Sequence, residues 1–219
     1  MTATLPPDLR DVFARRTVAE LVTIDERGRP VARAVTPRYR EGGPCIDVIG
    51  DAAEVHDPHV ALLFAAEGPP MVLVQGTAYD DGGLHVRPER IYSWASSGDE
   101  DPRLFDAHLE EVRSGHNEEP EVGHAAPDGG RGLWDHRLDG LSSASLACVG
   151  PDGFPFAARL EVTPDPRGGV LRLGPVPVGM PVEPGPACLH AGSAGPRVHG
   201  DLVAGADGWR VVPHAVLDA

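Results

Sequence analysis

The sequence predicts a mainly β chain with flanking helices (α+β), folded as two antiparallel barrels in tandem. Three observations carry this. One pattern is written twice, about 125 residues apart: LVTIDERGRPVARAVT from Leu21 returns as LACVGPDGFPFAARLE from Leu146. Gly (27) and Pro (23) together approach a quarter of the 219 residues, which favours many turns over long helices. Apolar runs are short and separated by Gly-bearing turns, the pattern of antiparallel barrels rather than of a parallel sheet.

The repeat extends through both halves. Gly28 aligns with Gly153, Pro30 with Pro155 and Ala32 with Ala157. Pro58–Ala65 (PHVALLFA) matches Pro184–Ala191 (PGPACLHA), Val74–Gly76 matches Val198–Gly200, and Val86–Ile91 matches Val211–Val216. Long-period self-similarity decides the architecture before any local reading does. Two copies point to a fused pseudo-dimer, one chain imitating the two-fold symmetry of most homo-oligomers. Residues 1–98 are the first repeat, 99–141 a helical and acidic linker, and 142–219 the second repeat.

Along the chain, Leu9, Val12 and Phe13 share one face of an amphipathic helix within residues 5–18. Strands are expected at Leu21–Ile24, Val31–Thr36, Ile46–Ile49, Val60–Phe64, Met71–Tyr79 and Leu84–Val86, with hairpin turns at Asp25–Gly28 and Asp80–Gly83. In the linker, Leu104, Phe105, His108, Leu109 and Val112 have helical spacing over 101–113. Residues 118–131 are acidic and rich in Gly and Pro, a mobile linker by composition. Trp134, Leu138 and Leu141 suggest a second short helix.

The chain carries 33 acidic residues against 19 basic ones, a net charge of −14, and every basic residue is Arg. This balance argues against nucleic acid and against anionic membranes, both of which call for basic patches. No apolar run approaches the length of a membrane span, and the N-terminus lacks the apolar core of a signal peptide. A cytoplasmic location is expected. Cys45, Cys148 and Cys188 are too few and too scattered for a disulfide framework or a structural zinc site, and read as buried thiols. No metal site and no nucleophilic constellation stands out, so no catalytic residue is assigned.

The succession of DxxGxP turn, second strand, PxVALLF, VLVQGxA and VRPERIYSW resembles the FMN-binding split-barrel family, whose best-known member is pyridoxamine 5′-phosphate oxidase. The resemblance covers nearly the whole chain, once per half. It implies two split barrels, a flavin in a cleft between them and a redox reaction on a small-molecule substrate, with FMN or a deazaflavin as cofactor. It assigns Arg33, Thr36 and Arg38 to the polar edge or phosphate of the flavin, Gln75 to its ring edge, and the segment of Arg87, Arg90 and Trp94 to its surroundings. Arg suits this role because its planar fork binds phosphate in a bidentate manner.

After the third strand, family members usually carry Ser or Thr with Lys or Arg. Here Gly50–Asp57 holds three carboxylates and no basic residue. Two alternatives therefore stand beside the flavin reading. One is a heme-binding split barrel with His190 or His56 as axial ligand, which needs no phosphate cradle. The other is a cofactor-free small-molecule-binding protein in which fusion let one of two equivalent sites decay. In each case the chain is expected to act as a monomeric pseudo-dimer.

Overall fold

The computed structural model describes residues 13–39, 45–49, 55–65, 70–94, 102–106 and 134–218. Its strands are β1 (Ala19–Ile24), β2 (Pro30–Tyr39), β3 (Ile46–Ile49), β4 (His59–Phe64), β5 (Met71–Asp80), β6 (Leu84–Trp94), β7 (Arg103–Asp106), β8 (Ser143–Val149), β9 (Pro155–Asp165), β10 (Val170–Leu173), β11 (Gly185–His190), β12 (Arg197–Gly205) and β13 (Gly208–Leu217). The first sheet runs β3-β2-β1-β4-β5-β6-β7, and β3 also pairs with β6, closing a six-stranded ring with β7 attached outside it. The second barrel closes as β10-β13-β12-β11-β8-β9. Position for position these two rings have one topology, compatible with a tandem split barrel.

Register confirms the duplication in detail. Ala19 pairs with Val35 in the first barrel and Ala144 with Leu160 in the second, the same pairing displaced by 125 residues. The two β-hairpin turns also coincide. Gly28 (φ 74°) and Gly153 (φ 82°) adopt the left-handed backbone that a residue with a side chain would resist. Asp25 Oδ1 accepts from the backbone N–H of Arg27 and Arg29, and Asp152 Oδ1 from that of Phe154. A bulge recurs as well. The register shifts at Gly76 in β5 and at Gly200 in β12, where a Cβ would collide with the carbonyl oxygen of Arg87 or of Val212.

The match of the fourth strands needs correction by one residue. Sequence alignment sets Phe64 against His190, but the ladder sets Leu63 there: Glu20 pairs with Leu63, and the corresponding Ser145 pairs with His190. The difference matters because a one-residue slip turns every side chain to the other face of a strand. Phe64 points into its barrel, whereas His190 points out of its own.

Among the described residues, α-helix is limited to residues 13–15 and a 3-10 turn to His136–Leu138. The helical spacing over 101–113 does not produce a helix at its start. Arg103–Asp106 is β7 and pairs with Arg90–Ser93 of β6, because the free edge of β6 offers backbone partners to a passing segment. Residues 1–12 and 107–133, with the remainder of both expected helices and the acidic linker, lie outside the described residues. No helix among the described residues is long and apolar enough to cross a membrane.

Two cores result. The first barrel is filled by Leu21, Val35, Ile46, Val60, Leu62, Phe64, Val72, Val74 and Val86. The second core contains Leu146, Phe156, Leu171, Leu189, Val198 and Leu202, and it is continuous with Val22, Ala32, Ala61, Leu63, Leu73 and Trp94 on the outside of the first barrel. These outward residues of β1, β2, β4, β5 and β6 therefore do not meet water. They seal the interface with the second barrel.

Candidate ligand-binding site between the barrels

The interface is organised by two cross-strand rows in equivalent positions. In the first barrel the row is Ala34–Glu20–Leu63–Leu73–Tyr92, and in the second it is Arg159–Ser145–His190–Arg197–Leu217. Both rows point outward, toward the other barrel. One is apolar except for Glu20, and the other carries two arginines, a serine and a histidine.

The rows meet where Glu20 touches Ser145, its own counterpart 125 residues on. Ser145 Oγ donates to Glu20 Oε1 at 2.8 Å. A residue that touches its own counterpart marks the two-fold axis of a dimer, so this contact locates the pseudo-two-fold. Around it, His190 Nδ1 stands 3.2 Å from Glu20 Oε2, and Arg159 Nη1 stands 3.8 Å from Oε1. Arg159 is also held by Ser143, to whose Oγ its Nη2 donates at 2.8 Å. Glu20 is 9% exposed, Ser145 0% and His190 2%. Glu20 Oε2 and His190 Nδ1 lack an aligned hydrogen bond despite their proximity. The second barrel supplies the complement that a buried carboxylate needs.

On either side of this axis the hairpin turn of one barrel faces strands of the other, and each such junction is termed a cleft. The first cleft is filled by the chain itself. Phe154, at the tip of the β8–β9 turn, stacks edge-on against His59 with ring centroids 4.3 Å apart. The Arg90 guanidinium lies 4.6 Å over the Phe154 ring and pairs with Asp152. Gln75, 1% exposed, donates from Nε2 to the Pro155 carbonyl at 2.9 Å.

The second cleft has equivalent positions and different chemistry: β2 packs on β11 as β9 packs on β4, but less closely on β12 than β9 on β5. Arg29 stands where the first cleft has Phe154, Arg27 where it has Asp152, Ala215 where it has Arg90 and His199 where it has Gln75. Asp25 Oδ2 accepts from Nε and Nη2 of Arg29 at 3.0 and 2.8 Å, which fixes this guanidinium at the cleft edge. Burial, with the positive charges of Arg197 and Arg29, holds the His199 imidazole below its ordinary pKa, against a smaller opposing effect of Asp25. Cys188 pairs in register with His199, and burial pushes its thiol up to about 11.

The residues expected to hold a flavin divide into three groups. Gln75 and Arg90 come together, with Arg90 Nη1 3.5 Å from Gln75 Oε1, and both have further partners in the second barrel. Trp94 is fully buried, stacks on Tyr92 and donates from Nε1 to the Val178 carbonyl at 3.0 Å. Arg87 lies beside Tyr79 on the outside of the first barrel, 5.7 Å from its ring centroid. On β2, Thr36 and Arg38 are exposed and pair in register with Ile49 and Asp47. Arg33 is partly buried on the opposite face of that strand, across from Leu21.

Of the two candidate axial ligands, His190 faces the Glu20 carboxylate. His56 is exposed and 3.7 Å from Glu26. Among the described residues no group of three or more His, Cys, Asp or Glu is placed to hold a metal ion. Cys148 and Cys188 are buried as expected, but Cys45 is partly exposed, its sulfur 2.7 Å from the Tyr79 hydroxyl.

Sequence reasoning missed Glu20, Ser145 and Arg197. Glu20 and Ser145 are polar residues within mostly apolar strands, which is a signal, whereas Arg197 opens a strand that also carries His199 and Asp201. Only the cross-strand register shows that they belong to facing rows. Comparison with protein-family models, with curated proteins and with solved structures finds no match to this chain.

Proposed function

We propose that this chain is a single-chain pseudo-dimer that binds one small molecule between its barrels, and that the cleft used is the one bounded by the β1–β2 turn and β12. The observation that carries this reading is the inequality of the two clefts. The first is occupied by Phe154, Arg90 and Asp152 from the chain itself. At the same positions of the second stand Arg29, Ala215 and Arg27, with the large aromatic ring gone. Duplication within one chain frees two equivalent sites to diverge, and here one has become an adhesive contact.

A second reading, a flavin- or deazaflavin-dependent oxidoreductase, is favoured by one observation. Thr36 and Arg38 stand exposed on β2, the strand that the resemblance places along the cofactor. Gln75, Arg90 and Trp94 fit that role less well, since their polar groups already have partners within the protein. If a flavin binds, it supplies the redox chemistry, and the protein supplies binding and orientation.

Absorption spectra of the purified protein, before and after incubation with FMN, a deazaflavin or heme, separate the readings. Retained flavin bands that Arg38→Ala weakens support the redox enzyme, and a sharp heme band lost in His190→Ala supports a heme protein. Absence of uptake, with chemical shifts at His199 and Arg29 on adding a small-molecule panel, supports the single-cleft binding protein. Shifts confined to Phe154 and Arg90 refute it.

A further inference from the structure

Arg197 lies in the outward row of the second barrel, between His190 and Leu217. Its Nε is buried with no hydrogen-bond partner, and no acid among the described residues pairs with it. A buried N–H without a partner is costly. The counterpart in the first barrel is Leu73, fully buried in apolar contacts. An aliphatic side chain therefore suits this backbone position, and folding alone gives no reason for a charge there.

Three positive or protonatable groups lie on this side of the interface. Arg197 and His199 are two residues apart on β12 and share its outward face. Arg29 approaches from the other barrel, where β2 packs on β11. The charged and titratable neighbours of His199 are Arg197 on its own strand, Cys188 on β11, and Arg29 with Asp25 from the β1–β2 turn; on β13 its register partner is the uncharged Ala215. Asp25 is engaged by Arg29 and Glu20 by Ser145, and no described acid forms an ion pair with Arg197. In a chain of net charge −14 such a concentration of positive potential is local and specific.

We infer that Arg197, His199 and Arg29 form a binding site for the anionic group of a small molecule, a phosphate or a carboxylate, in the cleft between β12 and the β1–β2 turn. The inference rests on the single-cleft reading and names the ligand class that cleft takes. Arg197 supplies a partly buried guanidinium and an N–H that folding leaves unpaired. Arg29, pre-oriented by Asp25, supplies a second guanidinium at the rim. His199 becomes a second donor when the anion is present, since a negative charge beside it favours the imidazolium. Binding therefore tightens as pH falls through the imidazole range.

The test is a titration of the full chain, followed by the NMR resonance of the His199 ring, which His199→Gln identifies. The probes are inorganic phosphate, acetate and neutral riboflavin, with sodium chloride at matched ionic strength as control. Phosphate or acetate is expected to shift the resonance saturably and to raise the His199 pKa; the tighter of the two assigns the class. Arg197→Leu, which installs the residue found at the equivalent position, is expected to keep cooperative unfolding and to weaken that binding by at least about tenfold. Equal responses to phosphate, acetate and chloride overturn the inference, as does unchanged affinity in Arg197→Leu. If riboflavin alone shifts His199 and Arg29, the cleft reading stands and the anion site falls. If no probe moves them, both fall.

Discussion

Replacement of Glu20 by leucine tests the organisation of the whole molecule, because this carboxylate sits where the two barrels meet. Ser145 Oγ donates to it at 2.8 Å, and a hydrogen bond to a charged group contributes about 1.5–3 kcal/mol. The bare attraction to Arg159 at 3.8 Å is about 4 kcal/mol at an effective dielectric constant of about 20. The Arg159 side chain is one-third exposed, so screening reduces that contribution to about 1 kcal/mol or less. Glu20→Leu is therefore expected to destabilise the protein by about 2–4 kcal/mol, since it strands Ser145 without its acceptor and removes the carboxylate that faces His190 and Arg159. Glu20→Leu combined with Ser145→Ala removes both ends of the central bond and should recover about 1–2 kcal/mol of that loss relative to additivity. Urea unfolding followed by tryptophan fluorescence measures each step. The second core extends over both barrels, so wild type should unfold in one cooperative transition, and Glu20→Leu should lower its midpoint without splitting it. A loss below about 0.5 kcal/mol for Glu20→Leu, or two separate transitions in wild type, refutes the reasoning.

Further outcomes follow from other contacts. Gly76→Ala and Gly200→Ala each drive a Cβ into a carbonyl across the bulge and should cost about 1–3 kcal/mol apiece in urea unfolding, whereas Gly83→Ala, whose nearest neighbour is 4.0 Å away, should be close to neutral. Trp94→Ala empties a fully buried site between the barrels and should cost about 3–5 kcal/mol, read as the shift in denaturation midpoint. Cys45 should react with a thiol reagent in the native protein while Cys148 and Cys188 do not: both are buried, and burial pushes their thiols up to about 12 and about 11. Mass spectrometry of the labelled peptides settles it, and equal labelling of all three contradicts the described burial. Because the folded-state pKa of His199 is lowered, the unfolded chain binds its proton more readily. The associated stability is complete above the ordinary imidazole pKa and is lost as pH falls through the folded value. His199→Gln should flatten that part of the stability–pH profile between neutral and mildly acidic pH, and an unchanged slope would count against it.

Much of the fold was legible because its signals are local and repeated. Gly28 and Gly153 mark backbone that only a turn requires, and the alternation around them sets strand faces without tertiary information. The third strand, Ile46–Ile49, was readable to the residue for this reason. Two errors have a physical origin. Leu104, Phe105 and their neighbours have helical spacing, but periodicity does not register that β6 has an open edge to pair with. The fourth strands align by composition at one residue from their true correspondence, because neither strand alternates: both faces are buried, one inside a barrel and one between barrels. The same double burial hid the site. Glu20, Ser145, His190 and Arg197 fall on four strands, and only cross-strand register assembles them into facing rows.

The distribution of polar residues over those rows shows what fusion made possible. In a homodimer every residue on the two-fold axis faces its own copy, so a glutamate at the position of Glu20 would face a second glutamate and be repelled in a buried setting. A single chain escapes that constraint. Here the counterpart is Ser145, which donates where a second carboxylate could not, and the neighbouring positions Leu63 and Ala34 are answered by His190 and Arg159. The same freedom acts on the clefts: Phe154 closes one side, while Arg29, not a second phenylalanine, stands at the equivalent position of the other. The asymmetry of the axis and that of the clefts are thus one consequence of duplication. Restoring symmetry provides a direct check. Arg29→Phe, which gives the second turn the plug of the first, should stabilise the interface if Ala215 and Pro186 accommodate the ring, and should at the same time abolish the shifts that small molecules induce at His199. Retained shifts in a well-folded Arg29→Phe protein would mean that ligands enter elsewhere.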